Sequence, residues 1–113
     1  MAESTWDEKV VLDRGHLNGY TGGDRELAKQ VLEIFADNAP GYLDVLSAAD
    51  CDNWRSAAHK LKGAARGIGA WRLARAAERA ELMGVAGLGD PKREAVLSEL
   101  QVRLEELLVE IKS

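Results

Sequence analysis

Apolar residues recur along most of the chain at intervals of three and four positions, which is the period of an amphipathic α-helix. The regularity is greatest near the C-terminus, where one seam carries Leu97, Leu100, Leu104, Leu107 and Ile111. Such spacing is typical of a bundle seam or a coiled-coil seam. No alternating run of β-branched residues indicates a sheet. The pattern therefore predicts helices throughout, with this seam in the core or, as an alternative, in a dimer contact.

The first part of the chain is predicted to hold a short helix and the start of a long one. Residues 1–8 are expected to form a flexible tail. Asp13 can cap a short helix that ends near Gly19. After the Gly22-Gly23 turn, Asp24 is placed to accept the first free amide hydrogens of the long helix.

The long helix after Asp24 is marked by apolar residues at helical spacing: Leu27, Val31, Ile34, Phe35 and Tyr42. Pro40 interrupts this segment, because proline lacks the amide hydrogen that would bond the carbonyl of Ala36. We therefore expect a kink or a break near Ala39.

Three further helices are predicted in the rest of the chain. They run from after Asp50 or Asp52 to about Ile68, from Ala70 to about Met83, and from Asp90-Pro91 onward, beyond a loop from Gly84 to Gly89. The middle one is rich in alanine, which permits close approach between helix axes.

The helix before Ile68 separates an apolar face from a polar one. At about 100° per residue, one line collects the apolar side chains of Trp54, Ala58, Leu61, Ala65 and Ile68. His59 lies about 140° from that line, so we expect it to be exposed. Lys62 and Arg66 fall on the same side as His59, with Gly63 about 40° beyond it.

This arrangement has a chemical use. A neutral imidazole near pH 7 is nucleophilic and can carry a phosphoryl group on a ring nitrogen, and a cation one turn away can hold the oxygens of that group. Glycine inside a helix costs about 1 kcal/mol relative to alanine. Gly63 could serve a helix crossing, but it could equally let a partner protein come close to His59. We therefore identify a candidate phosphotransfer site.

The residues around His59 closely resemble the motif of histidine-containing phosphotransfer (HPt) domains, here His59-x-Leu61-Lys62-Gly63 followed by Gly69-Ala70-x-x-Leu73 and Glu78. The resemblance implies an all-α, antiparallel up-down four-helix bundle with a short additional N-terminal helix, formed as a single domain by residues 1–113. It implies that His59 is phosphorylated, that Lys62 contacts the phosphoryl oxygens and that Gly63 gives the partner clearance. Ala64 departs from the family, since many members have serine directly after that glycine.

The resemblance also implies the partners: receiver domains of response regulators, and a hybrid histidine kinase upstream. We expect a receiver to dock around His59, with Arg55, Arg66 and Gly69 as further binding residues. Arg72 and Arg75 on the next helix could extend a basic patch toward an acidic receiver pocket.

Composition narrows the remaining classes of function. The 113 residues carry a net charge of −4, so no basic surplus favours nucleic acid. No apolar run is long enough to span a bilayer, no signal-peptide pattern begins the chain, and Cys51 is the one cysteine. We expect a cytoplasmic monomer.

The sequence also lacks a glycine-rich nucleotide-binding loop and a carboxylate cluster suited to magnesium. We therefore expect no cofactor and no metal on this chain, no ATP-dependent kinase activity, and magnesium supplied by the receiver.

Other classes of protein compete with the phosphocarrier. One is an HPt-like helical adaptor whose histidine is never phosphorylated, which Ala64 favours. A dimerising histidine-kinase module usually has an acidic residue after the phosphorylated histidine, whereas Lys60 stands there. A haem or di-metal bundle lacks the Glu-x-x-His pairs that such sites use.

Overall fold

A computed structural model describes residues 7–83 and 90–112 of the protein. It contains the helices α1 (Arg14–Tyr20), α2 (Arg25–Ala48), α3 (Cys51–Gly67), α4 (Trp71–Leu82) and α5 (Pro91–Lys112). No strand occurs within these two ranges. The predicted loop from Gly84 to Gly89 and most of the predicted N-terminal tail lie outside the described residues. No helix among the described residues is long and apolar enough to cross a membrane.

The four long helices close into a bundle. α3 packs against α2 and α4, and α5 packs against α4 and α2, while α1 lies against α2. Short connections join α2 to α3 and α3 to α4, so consecutive helices run in opposite directions. The predicted all-α, antiparallel up-down four-helix bundle with a short additional N-terminal helix is confirmed.

An aspartate directly precedes four of the helices: α1, α2, α3 and α5. The side chains of Asp13, Asp24 and Asp50 each accept a hydrogen bond from the backbone N–H three residues later, at 2.9 to 3.0 Å. Each carboxylate thus satisfies one of the amide hydrogens that a helix start leaves without a partner. The cap of α3 is Asp50 rather than Asp52.

Of the kink or break expected near Ala39, the break does not occur, because α2 continues as one helix through Pro40. Proline removes a single backbone hydrogen bond, whereas the inner face of α2 buries five side chains along its length: Leu32, Phe35, Ala39, Leu43 and Leu46. Among the apolar residues that marked this helix in the sequence, Leu27 and Ile34 are exposed (43% and 60%). Tertiary packing therefore decided both the continuity of α2 and its buried face.

The apolar faces of α3 and α5 lie where their spacing predicts. Trp54, Ala58, Leu61, Ala65 and Ile68 are all buried. On α5, Leu100, Leu104 and Leu107 are buried, and the two outer seam residues pack against the same core. The core thus lies between the helices and leaves the opposite face of α3 to solvent.

A close contact joins α1 to the connection between α3 and α4. Gly69 has a φ of +82°, and a Cβ atom there would lie 2.8 Å from the Asp13 carbonyl oxygen. The Asp13 N–H donates to the Gly69 carbonyl at 2.8 Å, and the Trp71 indole donates to the Asp13 carboxylate at 2.9 Å. The His16 ring packs edge-on against Trp71 with ring centroids 4.8 Å apart. We call Asp13, His16, Gly69 and Trp71 the α1 corner.

Candidate functional site

His59 lies on the outer side of α3, and its side chain is 69% exposed. It borders an open depression of about 500 Å³ between α3 and the C-terminal end of α4. The depression, which we call the His59 site, is lined by Asp52, Arg55, Ser56, His59, Lys62 and Glu81. The predicted exposure of His59 is confirmed, as is the presence of Lys62 beside it.

One carboxylate connects the two chemically important side chains of this site. Glu81 of α4 is only 10% exposed, and its Oε2 lies 2.5 Å from Nδ1 of His59. Its Oε1 accepts a hydrogen bond from Nζ of Lys62 at 2.6 Å. Lys62 itself is 16% exposed, so its ammonium group is held against α4 rather than extended into solvent. The three groups form one hydrogen-bonded network centred on the Glu81 carboxylate.

The network fixes the tautomer of the imidazole. Ionised glutamate can only accept hydrogen bonds, so Nδ1 of His59 must carry the hydrogen that it shares with Glu81. In the neutral ring the other nitrogen, Nε2, then holds the free lone pair. Because the ring is mostly exposed, that lone pair is available to a partner. The arrangement makes Nε2 the nucleophilic atom.

Glu81 remains ionised well below neutral pH. Burial raises the pKa of the Glu81 carboxyl, but hydrogen bonds from Lys62 and His59 outweigh it, so the pKa lies below its usual value of 4.5. A phosphorylated imidazole that retains its Nδ1 hydrogen is positively charged, so Glu81 is placed to stabilise it.

Gly63 leaves bare backbone next to His59. No described atom outside its own helix backbone lies within 4 Å of where a Cβ atom would stand at Gly63, and the same holds for Gly67 one turn later. A helix crossing therefore does not require the glycine at position 63. The open surface instead fits the predicted clearance for a partner.

Of the remaining predicted binding residues, the structure places one at the His59 site and two outside it. Arg55 lines the His59 site. Arg66 is exposed on α3 one turn beyond Lys62, outside the residues that line the depression. Gly69 does not join them, because it packs against Asp13 in the α1 corner. The positive φ of Gly69 and its close contact with Asp13 explain why the fold requires glycine there.

The proposed extension of the basic patch on α4 is not what the structure shows. Arg72 lies 3.5 Å from the Glu106 carboxylate of α5, and Arg75 lies 3.2 Å from Glu78 on its own helix. Both side chains are thus engaged by carboxylates within the bundle. The α4 residue that reaches the His59 site is acidic, not basic.

Sequence reasoning missed Glu81, the residue that organises the site. Its signal was weak but present: Glu81 falls among the buried positions of α4, which are mostly alanine and hold only one other carboxylate, Glu78. A carboxylate at such a position requires a cationic partner, because an unpaired buried charge is costly. The sequence alone did not show which helix would supply that partner.

The structure also shows what contacts the imidazole in the absence of a serine at position 64. This residue is half-buried and packs against the hydrophobic core. The orientation of the imidazole, which a serine at position 64 might have provided, comes here from the Glu81 carboxylate instead.

Comparisons with known proteins agree with this geometry. The family model of the Hpt domain matches residues 30–113. A crystal structure of the histidine phosphotransferase ShpA from Caulobacter crescentus is similar, with 28% sequence identity and a TM-score of 0.68. The similarity covers 91% of this chain and 88% of that one. No curated protein sequence matches the chain. The matched motif, the helical bundle and the exposed histidine together show that this chain belongs to the Hpt domain family.

Proposed function

We propose that the chain is a phosphocarrier of a phosphorelay, in which His59 accepts a phosphoryl group from an aspartyl phosphate and passes it to another aspartate. The observation that carries this proposal is the contact between Nδ1 of His59 and the Glu81 carboxylate. It holds the hydrogen on one nitrogen of an exposed ring and leaves Nε2 nucleophilic. A histidine on an exposed helix face needs no such carboxylate for solubility.

The transfer step follows from this geometry. The Nε2 lone pair attacks the phosphorus atom, the N–P bond forms as the P–O bond to aspartate breaks, and the aspartate leaves as a carboxylate. No proton has to move, because Nδ1 keeps its hydrogen and the positive charge on the ring is balanced by Glu81. Return of the group to a second aspartate reverses each change. Phosphoryl transfer of this kind depends mainly on positioning and on charge stabilisation.

Two cations on α3 would hold the phosphoryl oxygens. Lys62 uses one of its three N–H donors on Glu81, which leaves two for the group on His59. Arg55, four residues before His59, lines the same depression and can approach the group from the other side. Because Gly63 has no side chain, the surface beside the ring is open, and a receiver can bring its aspartate within reach.

Hpt domains interact with receiver domains and kinases in phosphorelays. For this chain we propose receiver domains as donor and acceptor of the phosphoryl group, with a hybrid histidine kinase upstream. Magnesium would come with the receiver, and the chain would hold no cofactor and would not use ATP itself. A monomeric protein in the cytoplasm, as expected from the sequence, completes the proposal.

The test is transfer of label from a phosphorylated receiver domain to the wild-type protein, to His59→Gln and to His16→Gln. We expect acid-labile label on the wild type and on His16→Gln, none on His59→Gln, and none on any of them from ATP alone. Label that survives in His59→Gln would refute the assigned site. A folded wild-type protein that takes no label from any of several receivers would favour the adaptor.

A further inference from the structure

We propose that Trp54 is a positioning residue for phosphoryl transfer. Its indole fixes the position of α4 along α3, and therefore the position of Glu81 relative to His59. The inference rests on the proposed function of His59 and extends it to a residue that lies in the core. Trp54 precedes His59 by five residues on the same helix and is completely buried. Its side chain is not exposed to solvent and does not line the depression around His59.

In the core, Trp54 connects the two helices through one hydrogen bond. Nε1–H of Trp54 donates to the carbonyl of Ala80 at 2.8 Å, inside the core. Ala80 directly precedes Glu81, so the bond attaches α4 to α3 at the residue next to the carboxylate. The carbonyls in the last turn of a helix have no partner within the helix. Trp54 satisfies one of them at the end of α4 that carries the site.

The indole is itself held in place by the other two long helices. The guanidinium of Arg93, at the start of α5, lies over the Trp54 ring at 4.7 Å. Arg93 is completely buried and donates to the carbonyl of Ser47, near the end of α2, at 2.8 Å. A cation over the face of tryptophan is attracted by the ring electrons. Arg93 of α5 thus holds the Trp54 ring and is itself anchored to α2. Trp54 in turn holds α4.

This placement matters because the hydrogen bond between Glu81 and His59 depends on the relative position of the two helices. Oε2 of Glu81 lies 2.5 Å from Nδ1 of His59, and hydrogen bonds weaken steeply when distance or angle changes. Sliding α4 along α3 by a fraction of a helical turn would separate the carboxylate from the imidazole. The ring would then lose its preference for the Nδ1–H tautomer, and Nε2 would no longer be the nucleophile in every molecule.

A second tryptophan provides a matched control. Nε1–H of Trp71 also donates a hydrogen bond that holds α4, at 2.9 Å to the Asp13 carboxylate, but at the opposite end of that helix. Trp54→Phe and Trp71→Phe each remove an indole N–H and keep an aromatic ring. The two variants therefore make comparable changes, one next to Glu81 and one far from it.

The experiment measures, for both variants, thermal unfolding, the rate of label transfer from a phosphorylated receiver, and the His59 tautomer by ¹⁵N NMR of the unphosphorylated protein. We expect both to unfold at lower temperature. Only Trp54→Phe should transfer slowly, by about tenfold, since small misplacements of reacting groups can cost up to about 10²-fold. Only Trp54→Phe should lose the Nδ1–H tautomer.

Two results would overturn the inference: normal transfer and tautomer in folded Trp54→Phe, or equal loss of transfer in both variants. If Trp54→Phe does not fold, benzothienylalanine at position 54 replaces the N–H with sulfur at nearly constant shape and is read in the same way. A wild-type protein that takes no label would defeat the proposed function instead. The tautomer would still report whether Trp54 positions Glu81.

Discussion

The His59 site and the α1 corner each bring a histidine close to a carboxylate, but the two carboxylates do different work. At the His59 site, Glu81 bonds the imidazole itself and leaves the ring exposed. In the α1 corner, Asp13 accepts from the backbone N–H of His16 and from the indole of Trp71, while the His16 ring packs against that indole. The first carboxylate contacts a side chain that stays open to a partner, whereas the second begins a helix and fastens it to the bundle.

The glycines of the two regions differ in the same way. Gly69 in the α1 corner has a positive φ and has no room for a side chain. Gly63 beside His59 lies in a regular helix with open space above it. The fold requires the first glycine and has no need of the second. A residue that the fold does not need points to contact with a partner.

The largest difference between the two regions is expected in the rate of phosphoryl transfer when the carboxylate of each region is neutralised. Glu81→Gln keeps a hydrogen-bond acceptor near His59 but removes the charge that balances the phosphorylated ring. We expect transfer from a receiver to slow by about 10²-fold, the lower end of the range for losing one preorganised group that stabilises developing charge. Asp13→Asn should transfer at the wild-type rate per folded molecule, although it weakens the cap of α1. Equal slowing of both would show that Glu81 acts only through stability.

Next in size is the loss of stability when the required glycine is replaced. Gly69→Ala would place Cβ 2.8 Å from the Asp13 carbonyl oxygen at a φ of +82°. A left-handed conformation costs a non-glycine residue about 1–2 kcal/mol, and the close contact adds to that cost. We expect a fall of about 10 °C in the midpoint of thermal unfolding, measured by circular dichroism. An unchanged midpoint would show that the α1 corner accommodates the added methyl group without loss of stability.

The matching change at the His59 site should move stability the other way. Gly63→Ala adds a side chain where no described atom lies within 4 Å and should stabilise the helix by about 1 kcal/mol. Binding to a receiver should nevertheless weaken, because the added methyl group occupies the surface beside His59. Thermal unfolding and titration calorimetry with a receiver would measure the two effects. Tighter or unchanged binding would remove the clearance role of Gly63.

The smallest effect concerns acid pH. The Glu81 pKa lies below its usual value of 4.5 because hydrogen bonds from Lys62 and His59 outweigh burial, which raises it. A folded-state pKa below the unfolded one gives stability that is present above about pH 4.5 and is lost as the pH falls through the folded value. Glu81→Gln should therefore lose less stability than the wild type between pH 5 and pH 3, in urea unfolding. Parallel loss in both proteins would assign the acid sensitivity to other carboxylates.

The α1 corner contributes to the same acid sensitivity by a different route. Hydrogen bonds from the Trp71 indole and the His16 backbone lower the pKa of Asp13 below its usual 3.8. Its contribution to stability is present above about pH 3.8 and is lost as the pH falls through the lowered folded-state pKa. Asp13→Asn with Glu81→Gln should therefore flatten the profile more than either change alone.

Much of the fold was predictable because it depends on residues close together in sequence. Helix period placed Trp54, Ala58 and Leu61 in the core, and the cap at Asp24 was read from its position before the long helix. At Pro40 the sequence left a kink or a break open, and the helix does not break, because packing along the whole of α2 outweighs the missing hydrogen bond. The sequence also did not show that Leu27 and Ile34 would be exposed.

The sequence by itself determined that His59, Lys62 and Gly63 share the outer face of one helix, because a period of 3.6 residues places them there. Only the tertiary structure decided what faces them. Glu81 is separated from His59 by 22 positions, and its contact depends on the register of α4 against α3. That register is set by buried packing and by the bond from Trp54 to Ala80, which no local pattern encodes.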